Sequence, residues 1–184
     1  MRKVVNNRKR ILSAEDIERS LTRIALQILE QNHGVDSLAL IGIHTGGVPL
    51  ADRIKNIIYA GEGMTIPVGS LDISLYRDDW SLVSQNPIVK TTNIPFAVEG
   101  QTLILVDDVV FTGRTIRAAM DAIMDFGRPH AIQLAALVDR GGRELPIQPD
   151  YTGVNVSVGA NEHVHVHLEE TSERDEVILE SKER

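Results

Sequence analysis

Two adjacent carboxylates, Asp107 and Asp108, close an apolar run and are followed at short spacing by Val109, Thr112, Gly113, Arg114 and Thr115 within VDDVVFTGRT. The run Leu103 to Val106 reads as a buried strand, and Thr115 opens a helical pattern that reaches Phe126. In open α/β sheets ligands sit at the carboxyl ends of strands, so the acids stand where ligands are held. The loop after them offers the N–H groups of a helix N-terminus, two hydroxyls, and a glycine that permits close approach. That set suits a phosphate. Acids beside a phosphate repel it unless they hold something else; sugar hydroxyls and a Mg²⁺ shell are the natural partners. The expectation is a ribose phosphate rather than a bare phosphate. A helix cap with solvated acids competes poorly, because two acids ending an apolar strand are costly to place without partners. Neither GxxxxGK[ST] nor GxGxxG after a strand is present.

Four further groups stand beside this one. Gly42-Ile43-His44-Thr45-Gly46-Gly47 also ends a strand and precedes a helix. Its amides suit a second anion such as a pyrophosphate, or they form a plain strand–helix turn. LVDRGGRELP, from Leu137 to Pro146, starts at another strand end, where Asp139 and Arg140 sit beside a ligand or form a surface ion pair. Asp72 to Trp80 leads into a polar loop on which Arg77 is placed to cover a polyanion and exclude water; the alternative is a mobile polar loop. His163, His165 and His167 in EHVHVHL share one face of a strand. Such a triplet can hold Zn²⁺, but no carboxylate completes it, and the exposed face of an edge strand is the better reading.

These groups need elements to position them. Ser13 and Asp16 resemble a helix cap, and Ile17, Leu21, Ile24, Ile28 and Leu29 recur at helical spacing, so 14–32 is an amphipathic helix stopped by Asn32-His33-Gly34. Leu38 to Ile43 is apolar throughout, as in strands buried on both faces. A helix begins after Gly47, and 66–75 reads as a strand. The stretch 76–93 is a long loop, with room for a hairpin of its own, of the kind that serves as a lid. Ala131 to Val138 is another strand, so strand–helix–strand around 103–138 forms a βαβ unit in a largely parallel sheet. Short strands follow to about Leu168, and the charged end from Glu169 is expected to fray. No repeat or linker interrupts the chain, so 1–184 is expected to be a single domain, with 1–10 and 169–184 peripheral.

Composition narrows the classes. Apolar residues make up 42% and charged residues 24% of the 184, as in ordinary globular chains. The net charge of −7 argues against bulk nucleic-acid binding but leaves room for a local basic patch. With no cysteine there is no disulfide, thiolate metal site or thiol nucleophile, and a reducing compartment fits. No apolar run approaches a membrane span, and none follows the basic start MRKVVNNRKR as in a signal peptide, so the expectation is a cytoplasmic protein without membrane partners.

VDDVVFTGRT resembles the ribose-phosphate signature of the type I phosphoribosyltransferase superfamily. Together with DISLYRDD, GRP with IQLA shortly after, and LVDRGGRELP, it resembles the bifunctional pyrimidine-operon attenuator / uracil phosphoribosyltransferase (PyrR) family, from about Ile11 to Leu168. The resemblance implies an α/β fold, a mostly parallel sheet flanked by helices, with a small hood and a flexible loop. It implies transfer of the phosphoribosyl group from phosphoribosyl pyrophosphate to uracil, giving UMP and pyrophosphate. Asp107 and Asp108 would hold the ribose hydroxyls, partly through Mg²⁺ and water. Thr112, Gly113, Arg114 and Thr115 would bind the 5′-phosphate, with Val109 beside them, and His44, Thr45, Gly46 and Gly47 would be the pyrophosphate loop. Arg77 would close over the reacting centre. Val138, Asp139 and Arg140 would border the uracil.

The family's second activity is regulating pyrimidine biosynthetic genes by binding the mRNA leader, and Thr22 and Arg23 fit its RNA-contacting helix. Glu18, Leu26, Gln148 and Val154 depart from the family's basic or histidine positions, and Gly46 stands where arginine is frequent. The readings kept open are an enzyme that also attenuates transcription, an RNA-binding attenuator with little enzymatic activity, and an enzyme with RNA regulation lost. A purine or orotate phosphoribosyltransferase is a further reading, against which VDRGGRELP argues. The resemblance also implies a homodimer or homotetramer.

Overall fold

A computed structural model describes residues 6–76, 91–159 and 161–182. The continuous apolar runs become a parallel sheet with a core on each face. β2 (Leu38–Ile43), β3 (Val68–Leu71), β4 (Thr102–Val110), β5 (Ala131–Asp139) and β6 (Tyr151–Asn155) lie in the order β3-β2-β4-β5-β6, each pair parallel. Side chains alternate across it. Leu38, Leu40, Ile104, Val106, Ala135 and Leu137 enter one core, and Ala39, Ile41, Leu103, Leu105, Leu134 and Ala136 the other. Runs such as LALIGI show no period because both neighbouring positions are buried.

Helices α1 (Ala14–Asn32) and α2 (Gly47–Glu62) fill the first core, and α3 (Arg114–Met124) fills the second. The N-terminus of α1 is closed by its own side chains: the Ser13 hydroxyl accepts from the Asp16 N–H, and Asp16 accepts from the Ser13 N–H at 3.0 Å. Ser13 and Arg19 together hold the Asp16 carboxyl well below the usual range. No helix among the described residues is long and apolar enough to cross a membrane.

The strand order decides where a ligand fits. The chain leaves β2 for its outer neighbour β3 and then returns to β4 on the other side of β2. Connections therefore diverge between β2 and β4, which opens a crevice at their carboxyl ends.

Three expectations change. The strand expected over 66–75 is shorter, Val68–Leu71, followed by a turn in which the Tyr76 N–H donates to the Ile73 carbonyl. The strand expected to stop at Val106 runs on to Val110, since β5 continues to pair with it beyond Asp107. The end expected to fray from Glu169 instead forms β8 (Glu176–Lys182). β8 sits between β1 (Asn6–Leu12) and β7 (Glu162–His167) in an antiparallel sheet that makes the small hood. Its Val177 and Ile178 are buried, and its buried Glu180 pairs with Arg8 at 3.1 Å and with His165 at 3.4 Å. Arg53 of α2 ties the segment before β8 to the main body, binding Glu170 at 2.6 Å and Asp175 at 2.8 Å.

Candidate active site

Two helices start at the crevice between β2 and β4, and neither has the reciprocal side-chain cap of α1; at α3 the Thr112 hydroxyl takes the Arg114 N–H alone, at 3.3 Å. α2 follows His44-Thr45-Gly46 and α3 follows Phe111-Thr112-Gly113; each has a glycine at its cap, no side-chain cap and no acid in its first turn. Gly113 takes φ +92°, which favours glycine. The contrast with the self-capped α1 is chemical: the starts of α2 and α3 keep backbone N–H groups and a positive dipole end for outside anions. Two such ends flanking one crevice suit a ligand with two phosphate groups.

The acids lie between them. β2 stops pairing with β4 at Val106, so Asp107 and Asp108 project past the end of β2 with β5 as their remaining neighbour. Alternation places Asp108 on the α2 side and Asp107 on the other. Asp107 is buried, and its Oδ1 accepts the Asp108 N–H at 3.0 Å. Asp108 Oδ1 accepts the Val109 N–H at 2.8 Å. Burial raises the Asp108 pKa above the usual carboxylate value, against the opposing hydrogen bonds from Val109 and Asp107. A carboxylate held this way gains from a cation or from sugar hydroxyls that replace lost water. Adjacent carboxylates are the hard oxygen donors Mg²⁺ takes, so the residues fit that ion.

The loop before α2 presses against these acids. A Cβ on Gly47 would press into the Val106 carbonyl, and one on Gly46 would meet the Asp108 carboxylate. The His44–Thr45 peptide is cis, and the His44 N–H donates to the Leu71 carbonyl at 3.0 Å. His44 and Thr45 also share a cavity of about 320 Å³ with Glu170 and Thr171 of the hood.

On the other side the third group joins the second loop. The Arg140 guanidinium lies 3.9 Å from the Phe111 ring centre, a cation–π contact, and its buried Nε has no partner among the described residues. Gly142, at φ +76°, lets the ring in: a Cβ there would lie 2.5 Å from Phe111 Cε2. Burial would raise the Asp139 pKa, but the Arg143 guanidinium and the Gly141 N–H together hold it below the usual value. Val138 is fully buried in the core, so toward the crevice it offers main chain only.

The expected residues therefore fall into two sets. His44 to Gly47, Asp107 to Val109, Thr112 to Thr115 and Asp139-Arg140 all lie on the loops and strand ends at this edge of the sheet. Arg114 is paired at its Nε with Glu144 at 2.6 Å. Arg77 lies outside the described residues. Thr22 and Arg23 belong elsewhere, on the exposed face of α1. The Thr22 hydroxyl donates to the Glu18 carbonyl at 2.9 Å, and Arg23 reaches across to the Gly153 carbonyl of β6. Leu26 is exposed on the same helix, while Gln148 accepts from Arg143 at 3.3 Å. His163, His165 and His167 alternate along edge strand β7, with the His165 and His167 rings stacked at 6.5 Å. Phe111, Gly142 and Arg143 were not singled out from sequence. Their signal was position alone, inside motifs read for other residues.

The geometry has counterparts. Residues 7–171 match the family model of the phosphoribosyl transferase domain. The chain is similar to the bifunctional protein PyrR of Pelotomaculum thermopropionicum, 52% identical over 176 residues, covering 96% of this chain and 97% of that one. It is also similar to the bifunctional protein PyrR of Chloroflexus aurantiacus, 54% identical over 175 residues, covering 95% and 96%. Among solved structures, the hypoxanthine phosphoribosyltransferase of Trypanosoma cruzi superposes with a TM-score of 0.70 over 95% of this chain and 97% of that one; at 18% identity the likeness is one of fold.

Proposed function

We propose, on the premise that the chain belongs to the bifunctional PyrR family of phosphoribosyl transferases, a division of its residues between one reaction and one regulatory surface. The protein is a uracil phosphoribosyltransferase, joining uracil to phosphoribosyl pyrophosphate to give UMP and pyrophosphate, and a regulator of pyrimidine biosynthetic genes through their mRNA leader. The observation that carries the residue assignment is the pair of glycine-capped helix starts on either side of Asp107 and Asp108.

In this reading Thr112, Gly113, Arg114 and Thr115 bind the 5′-phosphate at the start of α3. Arg114 is already paired with Glu144, so its side chain steadies the loop; its N–H, given to the Thr112 hydroxyl at 3.3 Å, would turn to the anion when it binds. His44, Thr45, Gly46 and Gly47 receive the pyrophosphate at the start of α2. Asp107 and Asp108 hold the ribose hydroxyls between them. Arg140 and the main chain of Val138 and Asp139 border the uracil, and the partnerless Arg140 Nε–H is a donor suited to a uracil carbonyl. Arg77, outside the described residues, is assigned to the reacting centre.

By analogy with the superfamily, the bond from the anomeric carbon to pyrophosphate breaks through an oxocarbenium-like state while the uracil nitrogen approaches. No covalent nucleophile is assigned. The residues act by aligning two substrates and by placing carboxylates where positive charge develops on the sugar. We assign Mg²⁺ as the cofactor, held near Asp107 and Asp108 mainly through the substrate; when bound it would neutralise charge on the departing pyrophosphate. Thr22 and Arg23 are assigned to RNA. A homodimer or homotetramer, a single domain over 1–184 and a cytoplasmic location complete the reading.

The test is UMP formation from uracil and phosphoribosyl pyrophosphate with Mg²⁺, set beside a panel of purine and pyrimidine bases. Turnover with uracil supports the reading. A protein that turns over a purine or orotate instead refutes the uracil assignment, and one that turns over no base refutes the enzyme.

A further inference from the structure

Arg143 has no part in the assignments above, yet its guanidinium is almost wholly consumed inside the protein. Its side chain is only 12% exposed. Nη2 donates to Asp139 Oδ2 at 2.6 Å and to Gln148 Oε1 at 3.3 Å, Nη1 to the Phe111 carbonyl at 2.9 Å, and Nε to the Ile147 carbonyl at 2.7 Å. These acceptors lie on three segments: the end of β5, the loop before α3, and the stretch before β6. The planar fork of arginine can meet three such directions at once, whereas lysine offers a single ammonium.

The neighbouring hydrogen bonds act on the same loop. The N–H groups of Glu144 and Leu145 both donate to the Thr112 carbonyl, at 3.0 and 3.1 Å, and the Arg140 N–H donates to the Val110 carbonyl at 3.1 Å. A trans peptide is planar, so its carbonyl and the following N–H point in opposite directions. Drawing the Phe111 and Thr112 carbonyls toward the 143–145 stretch therefore turns the N–H groups of Thr112 and Gly113 away from it. Those two N–H groups open the anion-facing start of α3.

We infer that Arg143 is a positioning residue that locks the 5′-phosphate loop to the base-side end of β5, so that one guanidinium sets the geometry of both substrate sites. The inference rests on the phosphoribosyl transferase reading of the crevice. Removing Arg143 leaves the Asp139, Phe111 and Ile147 acceptors without this donor and frees the Phe111–Thr112 peptide to rotate.

The experiment compares wild type with Arg143→Lys and Arg143→Ala, measuring ribose 5-phosphate binding by calorimetry, KM and kcat with each substrate, and Tm. Arg143→Lys keeps a charge beside Asp139 but cannot span both carbonyls. It should weaken ribose 5-phosphate binding and raise KM for phosphoribosyl pyrophosphate by about tenfold, with kcat within about threefold of wild type. Arg143→Ala should weaken both further and also raise KM for uracil. Unchanged ribose 5-phosphate binding in Arg143→Ala overturns the inference, as does a loss confined to the fraction of unfolded protein. Because binding is read without turnover, a wild type that binds ribose 5-phosphate but makes no UMP fails the enzyme reading alone, and the variants still decide the role of Arg143.

Discussion

Gly46 and the carboxylate of Asp108 occupy a volume that only a glycine leaves open: a Cβ at position 46 would lie 2.5 Å from Cγ and 2.8 Å from Cβ of Asp108. The loop that follows β2 thus rests directly on the acid that β4 carries past the end of β2. An arginine side chain has no room at this position with the loop placed this way. Gly46→Ala should displace the carboxylate or lift the loop, either of which misplaces groups that must meet one substrate. We expect kcat/KM for UMP formation to fall by roughly 10- to 100-fold while stability falls by about 1–3 kcal/mol. Steady-state kinetics with a thermal melt checks this; wild-type kinetics in the variant would show that the two loops need not touch.

Asp108 itself should separate activity from stability. Burial lifts its pKa, so the folded state holds its proton more tightly than the unfolded chain does. The stability this group contributes is therefore present at low pH and lost as pH rises through its folded pKa. At neutral pH the buried charge is a burden that Asp108→Asn removes, while the Val109 N–H keeps its acceptor. The variant should be at least as stable as wild type at pH 7, with its advantage shrinking as pH is lowered. It should nonetheless lose about 100-fold or more in turnover, because the ribose loses a charged partner. A variant that is clearly less stable at pH 7, or that keeps full turnover, sinks the assignment.

What the sequence made legible was local. The Ser13–Asp16 box, the apolar run of β2 and the strand–loop–helix around Asp107 are each set by residues a few positions apart. The unread parts depend on pairing across long separations. EVILESK follows a charged stretch and looks frayed in isolation; pairing with β7 on one side and with β1, from the other end of the chain, on the other gives Val177 and Ile178 a face to be buried on. The continuation of β4 through two acids runs against strand preference and is decided by β5 alongside it. Arg143 was not singled out because its acceptors lie on three separate segments.

The hood should loosen in acid through one clamp. The Arg53 guanidinium holds the carboxyls of Glu170 and Asp175 below their usual values, and they in turn push the arginine higher still. Carboxylates lowered on folding stabilise above their unfolded pKa, near 4, and lose that contribution as pH falls through the folded values. Asp175→Asn should therefore cost about 1–2 kcal/mol at pH 7, discounted for the solvent that reaches Arg53 and Glu170. The gap between variant and wild type should close as pH drops below about 4. Melting curves across that range test it; a gap that persists at low pH would place the effect in packing instead of the ion pair.

Binding to an mRNA leader should depend only weakly on salt in this chain. On the exposed face of α1, Thr22 and Arg23 stand beside Glu18 and the exposed Leu26, and Arg23 is already bonded to the Gly153 carbonyl. That bond fixes where its charge is presented but does not remove the charge. Each phosphate met by a cation adds about 0.7 to 0.9 to the slope of log affinity against log salt. A face with so few cations predicts a slope magnitude of roughly 1 to 2, and Arg23→Ala should lower it by about 1. Leu26→Lys should work in reverse, restoring a cation one turn further along the helix: tighter binding by about tenfold and a slope steeper by about 0.7 to 0.9. Because Leu26 is 60% exposed and belongs to neither core cluster, this substitution should leave UMP formation untouched, so the enzyme serves as an internal control for folding. Filter binding of a pyrimidine-leader hairpin at several salt concentrations reads all three proteins. If Leu26→Lys neither tightens binding nor steepens the slope, this face of α1 does not meet the RNA backbone and the assignment of Thr22 and Arg23 falls with it.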